Sequence, residues 1–205
     1  MEKKVYKEIN GKKVITYEKD NKGYERWYEY DLNGNCIHYK VNDGYEKWSE
    51  YDFNGKVTHS RNTDGYEWWG EYDFNGNMIC YKSNRGYKQW YEYDVNGRMT
   101  HSWNTDGYEE WKDYDANGRE IHFKSNRGYE QWYEYDAYGN MIHSNDHKGY
   151  EQWYEYDANG RMLHYKDSND FEHWKEYDTN GKLIHRKDNE GEEWFAKDYE
   201  ELKTC

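Results

Sequence analysis

The chain has 205 residues, a formal net charge of -13, 35% charged residues and a mean hydropathy of -1.61. That acidity argues against nucleic acid or an anionic membrane as a direct partner, since both select basic surfaces. Few aliphatic residues exclude an oil-drop core, but a 20% aromatic content argues against disorder, because Tyr and Trp bury large areas while keeping a polar atom for water.

Residues 1–22 hold Val5-Tyr-Lys-Glu-Ile-Asn-Gly-Lys-Lys-Val-Ile-Thr-Tyr17, with Asn10-Gly11 between two runs of alternating character. This predicts an N-terminal hairpin cap. The first 20 residues contain Lys and Glu throughout and no apolar run, so neither a signal peptide nor a transmembrane helix is expected there. Cys36, Cys80 and Cys205 are odd in number and stand where other copies of the pattern carry Val, Met or His. They read as substitutions rather than a disulfide framework, which points to a reducing, cytoplasmic compartment.

Residues 23–190 form eight units of 21 residues without insertion or deletion. Their leading glycines are Gly23, Gly44, Gly65, Gly86, Gly107, Gly128 and Gly149, with Asp170 replacing the eighth. A Trp column runs through Trp27, Trp48, Trp69, Trp90, Trp111, Trp132, Trp153 and Trp174. Such a period marks a repeat domain whose units bury their apolar faces by stacking on their neighbours. Each unit reads as two strands, Tyr-Glu-x-Trp-x-Glu-Tyr-Asp and a segment around Met/Ile-His-Tyr-Lys, joined by Asn-Gly. The fold class expected is all-β: tandem hairpins in an extended or superhelical antiparallel meander.

Asn-Gly predicts a two-residue type I′ turn, and the connection between units, such as Asn84-Arg85-Gly86, predicts a three-residue loop closed by left-handed Gly. Side chains alternate between faces, so an odd period keeps a column on one face when one loop is even and the other odd. That register pairs Glu71 with Cys80, Tyr72 with Ile79 and Trp69 with Lys82. It puts Tyr72, Ile79 and Tyr81 on a face suited to burial and Trp69, Glu71, Met78 and Lys82 on the other. Lys opposite Trp predicts cation–π pairs, and Glu opposite His recurs at Glu29/His38, Glu50/His59, Glu92/His101, Glu134/His143, Glu155/His164 and Glu176/His185. Beyond Gly191, Phe195, Tyr199 and Leu202 fall at helical spacing, so residues 191–205 are read as a C-terminal helical cap over the last sheet edge; a ninth, degenerate strand is the alternative.

The block Tyr156-Asp-Ala-Asn-Gly-Arg-Met162, with Gly149 seven residues upstream, resembles the YD repeat of the Rhs and teneurin families. The resemblance implies spiralling hairpin sheets that enclose a toxic domain or serve as adhesion scaffolds. The Trp and His columns are additions to that pattern, and with eight units a closed shell is not expected. A weaker similarity is to choline- and glucan-binding repeats, whose aromatic slots hold carbohydrate or quaternary amines.

Seven of the nine histidines form one column, His38, His59, His101, His122, His143, His164 and His185. Equivalent residues of successive hairpins lie two strands, about 9.5 Å, apart, whereas zinc ligands sit roughly 2.0–2.3 Å from the metal. No metal and no cofactor are expected, and the Glu–His pairs read as structural. A periodic pattern without GxSxG, HExxH, P-loop or CxxC motifs points away from an enzyme. The expected function is a non-enzymatic scaffold binding another macromolecule, most simply a protein, through an aromatic and acidic surface with Trp48, Trp69, Trp90, Trp111, Trp132 and Trp153 as candidate binding residues. Family analogy supplies a context, neutralisation of a toxin or defence factor. Carbohydrate or choline-type ligands in Trp slots, and acidic mimicry of DNA, are the alternatives.

Overall fold

In a computed structural model residues 2–196 are described, and every regular element among them is a β-strand. The strands are β1 (Lys3–Ile9), β2 (Lys12–Lys19), β3 (Glu25–Tyr30), β4 (Cys36–Val41), β5 (Glu46–Tyr51), β6 (Val57–Asn62), β7 (Glu67–Tyr72), β8 (Met78–Ser83), β9 (Lys88–Tyr93) and β10 (Met99–Asn104). They continue with β11 (Glu109–Tyr114), β12 (Glu120–Ser125), β13 (Glu130–Tyr135), β14 (Met141–Asp146), β15 (Glu151–Tyr156), β16 (Met162–Asp167), β17 (Glu172–Tyr177), β18 (Leu183–Asp188) and β19 (Glu193–Phe195). The chain divides into two compact units at Glu109/Glu110. In the first, β1 to β10 pair antiparallel in chain order. In the second, β11 to β19 do the same. The all-β hairpin meander expected from the repeats is therefore present within each unit.

Glu193–Phe195 pairs with β18 as a ninth-hairpin strand, in place of the helical cap expected from residue 191 onward. Edge pairing satisfies the backbone groups of that segment more completely than one turn of helix would. Residues 197–205, where the remainder of that cap would fall, lie outside the described residues.

The turns correct a second expectation. Among the described residues Asn10 and Asp170 alone of the non-glycines have positive φ, 51° and 64°. Only Asn10-Gly11 therefore meets the demand of a type I′ turn. In the third unit the Gly76 N–H donates to the Asp73 carbonyl at 3.0 Å and the Asp73 N–H to the Asn77 carbonyl at 2.9 Å, with Phe74 and Asn75 at negative φ. This is a type I turn followed by left-handed Gly. The connection between units has the same form, since the Gly86 N–H donates to the Ser83 carbonyl at 3.2 Å.

Two loops of equal length would flip each column to the other face in the next hairpin. A β-bulge on every second strand prevents it. Tyr72 pairs with Met78 and Glu71 with Cys80, leaving Ile79 as the extra residue. Thr58, Thr100, Ile121, Ile142, Leu163 and Ile184 occupy the same place. Trp69 then pairs with Lys82, and Lys82 with Lys88, so Trp90, two residues beyond Lys88, returns to the face of Trp69. The predicted pairs Trp69/Lys82 and Glu71/Cys80 hold, whereas Tyr72 faces Met78 rather than Ile79. Met78 thus joins the Tyr face, and Ile79 opens onto the Trp face with 37% of its surface exposed.

The Tyr face carries most of the covered positions: Val41, Ser60, Ser102 and Ser144 are buried, as is Asp167. Its columns trade volume across strands, Gly70 opposite Tyr81 and Tyr91 opposite Ser102. A Cβ on Gly70 would lie 3.2 Å from both the Trp68 ring and the Val57 carbonyl oxygen, and the space beside it is used by the Trp68–Tyr81 stack at 5.6 Å.

Candidate functional site

The YD aspartate builds the turn that gives the units their common end. Asp157 Oδ1 accepts the N–H of Asn159 and of Arg161, both at 2.9 Å, while Oδ2 holds the Arg161 guanidinium. Those donors, the Arg161 N–H foremost, hold the Asp157 carboxyl below the usual carboxylate range. Because the aspartate caps the turn, the residue after it is free to vary and points outward. In the first unit this position holds Leu32, Phe53, Phe74 and Val95, exposed by 88%, 91%, 92% and 97%. A type I turn accepts nearly any residue there, so folding does not require these large apolar groups. In the second unit the position holds Ala116, Ala137, Ala158 and Thr179, with Tyr138 exposed beside Ala137. The apolar row thus belongs to the first unit.

The Trp face is assembled from three columns. Five imidazoles stack on the Trp of the following hairpin: His38 on Trp48, His59 on Trp69, His122 on Trp132, His143 on Trp153 and His164 on Trp174, at centroid distances of 5.1–5.3 Å and interplanar angles of 7–13°, while His101 lies against Trp103 of its own strand at 4.7 Å and 28°. His185 stacks on Phe195 at 4.3 Å. The other side of the indole meets a cation, Arg61 over Trp48 at 4.8 Å and Lys82 over Trp69 at 5.3 Å.

Each imidazole also spans two carboxylates. His59 Nδ1 lies 3.2 Å from Glu50 of its own hairpin and Nε2 2.8 Å from Glu67 of the next. Across the seven histidines of the column the second contact is 2.7–3.0 Å. Both partners are acceptors and a neutral imidazole has one N–H, so satisfying both takes the imidazolium. Burial alone would lower the His59 pKa, but the Glu50 and Glu67 carboxylates outweigh it and hold it above its ordinary value. The Glu–His pairs read from the sequence are all formed. The second carboxylate, eight residues after each His, is the part that sequence reasoning missed: its signal is a constant spacing, but its meaning depends on the register between hairpins.

Of the six candidate tryptophans, Trp48, Trp69, Trp132 and Trp153 are each stacked on an imidazole, Trp90 stacks on Trp103 at 5.8 Å, and Trp111 pairs with Lys124 across its hairpin. Trp153, at 38%, is the most exposed of the six. Both nitrogens of each column histidine face carboxylates, and among the described residues no group of three or more His, Cys, Asp or Glu side chains converges as a metal site.

A family model of the teneurin YD-shell matches residues 45–194. Among solved structures the chain is similar to TcdB2-TccC3, with TM-score 0.71 and 15% identity over 92% of this chain and 13% of that one. It is also similar to TcdB2-TccC3-Cdc42, with TM-score 0.58 and 15% identity over 84% and 12% of the two chains. The Tc holotoxin pore of Photorhabdus luminescens follows at TM-score 0.55 and 14% identity, again over 84% and 12%. At these identities the likeness is one of fold, and this chain spans about an eighth of the length of those it resembles. No curated protein matches the sequence.

Proposed function

The chain belongs to the teneurin YD-shell family, a structural repeat rather than a catalytic fold, and from that premise we propose that it is a non-catalytic scaffold that holds another protein through the apolar turn row of its first unit. The observation that carries this reading is the row itself: Leu32, Phe53, Phe74 and Val95 stand almost fully in water on successive hairpins. Exposed apolar groups in a contiguous row mark interaction sites, and an extended repeat offers them at regular intervals. Most of the candidate tryptophans contribute less to this contact, because an imidazole already covers one ring face of Trp48, Trp69, Trp132 and Trp153, and a cation meets Trp48 and Trp69 as well. Carbohydrate binding along the repeat would need open slots between successive tryptophans, and imidazoles fill those beside Trp48, Trp69, Trp132 and Trp153. Acidic mimicry of DNA would need unpaired carboxylates, whereas many on the Trp face are bridged by histidine.

The structural neighbours are components of a toxin complex, one of them described together with Cdc42. They support a protein partner and a toxin or defence factor as its context. In this reading the chain works in a reducing compartment, where Cys36 and Cys80 remain thiols. The test is capture of partners from the native host by the full chain and by Phe53→Ser/Phe74→Ser, with mass spectrometry. A protein retained by the parent chain and lost from the double variant is expected. Retention by that variant together with loss on Trp48→Ala/Trp69→Ala would move the contact to the Trp face. Selective binding on glycan or quaternary-amine arrays, or salt-sensitive capture of DNA-binding proteins, would replace the reading.

A further inference from the structure

The Trp face is broken at two neighbouring positions on adjacent hairpins. Cys80 stands where the other seven units carry histidine, and Lys88 stands where the following hairpin otherwise supplies the bridging glutamate. In the preceding hairpin the corresponding groups are His59 and Glu67, joined at 2.8 Å, with His59 stacked on Trp69 at 5.2 Å. At Cys80 there is no imidazole to cover the near side of Trp90, and that ring stacks instead on Trp103 on its far side, at 5.8 Å and 11°. An open cleft of about 540 Å³ results, walled by Trp69 and Trp90, with Cys80 between them and Glu71, Lys82 and Lys88 at its edges. That volume is in the range of small-molecule sites.

We propose that this cleft binds a planar heteroaromatic carboxylate of the indole type, inserted where the other units place their own imidazole. Three features select that chemistry. The indole face of Trp90 offers the surface on which the imidazoles stack in neighbouring hairpins, so a flat ring recovers that contact. Glu71 occupies the place of Glu50, which accepts from a ring nitrogen of His59 at 3.2 Å; it is positioned to accept a ring N–H. At the opposite end Lys82 and Lys88 are direct cross-strand partners, two like charges where Lys40 and Glu46 form an ion pair at 3.0 Å. Like charges directly opposite are unfavourable, and an anion between them relieves the repulsion. In a chain of net charge -13, this places a local excess of cations beside an aromatic wall. Burial, aided by the Glu71 carboxylate, holds the Cys80 thiol above its ordinary pKa, so it lines the cleft as a neutral group.

The site stands independently of the protein partner assigned to the turn row. Its test is an NMR titration of the ¹⁵N-labelled full chain with indole-3-acetate, following the indole N–H signals of the tryptophans. Saturable shifts at Trp69 and Trp90, with Trp48 and Trp153 unmoved, are expected. Cys80→His restores the residue that the other units carry, so it keeps the fold, fills the cleft and should weaken binding at least tenfold. Lys88→Glu should do the same by removing the cation, and 1-methylindole-3-acetate, which lacks the ring N–H, should bind more weakly than its parent. No saturable shift at millimolar ligand, or equal binding by the parent chain and Cys80→His, would overturn the site.

Discussion

The Tyr72 hydroxyl donates to the Val57 carbonyl in the preceding hairpin, at 2.9 Å. The ladder between those hairpins ends at His59 opposite Trp69, so the hydroxyl continues the pairing one step past the last backbone bond. Val57 immediately precedes the bulge residue Thr58. The same bond joins Tyr51 to Cys36, Tyr93 to Met78 and Tyr135 to Glu120, at 2.8, 2.8 and 2.9 Å. The tyrosine of the Tyr-Asp motif is thus the donor for a carbonyl that the bulge takes out of register, and its aspartate closes the adjoining turn.

Tyr72→Phe keeps the ring and removes the donor. It should lower stability by about 0.5–1.5 kcal/mol, the worth of a hydrogen bond to a part-buried acceptor. Urea unfolding of parent and variant would show it, and an unchanged midpoint would mean that water replaces the hydroxyl without loss.

Gly97 has φ of 78°, in a region a β-branched residue strongly disfavours. Gly97→Val should cost about 1–3 kcal/mol through backbone strain. The contrasting variant Gly70→Ala tests packing instead: φ is unremarkable there, but the new Cβ would meet Trp68 and the Val57 carbonyl at 3.2 Å. Thermal unfolding of both should show losses, with the near-ultraviolet dichroism of the Trp68–Tyr81 stack altered only by Gly70→Ala.

The His59 bridge has a definite sign with pH. Its folded pKa is raised above the ordinary value near 6.5, so its contribution is fully present below about pH 6.5 and is lost as pH rises through the raised value. His59→Gln should therefore destabilise more at pH 6 than at pH 9. A pH-independent difference in urea midpoint between parent and variant would show that stacking on Trp69, not the carboxylates, carries the effect.

The turn aspartates act in the opposite direction. Asp94, Asp115 and Asp157 are held low, chiefly by the N–H groups of Arg98, Arg119 and Arg161. Their contribution is present above about pH 3.9, the unfolded value, and disappears as pH falls through the lowered folded values. Asp157→Asn should flatten the acid limb of a stability–pH profile below about pH 4 while barely changing the slope near neutrality, as read from urea midpoints across that range.

The sequence by itself determined the hairpin count, the Tyr-Asp-x-Asn-Gly turn ends, the Trp/Lys and Glu/His neighbours within a hairpin and the YD-repeat family, because all of these rest on spacing along the chain and on local turn chemistry. Three things needed the tertiary structure. Asn-Gly reads as a type I′ turn at Asn10-Gly11 and at Asn75-Gly76 alike, but Asp73, whose Oδ1 accepts the Asn77 N–H at 2.8 Å, stabilises the longer loop, and no local count registers that. The bulge at Ile79 follows from that loop, since only an extra residue brings Trp69 and Trp90 back to one face. The second carboxylate on each histidine, and the cleft opened at Cys80, come from the register between hairpins. That register is set by long-range pairing of strands whose residues carry no mark of the neighbour they will face.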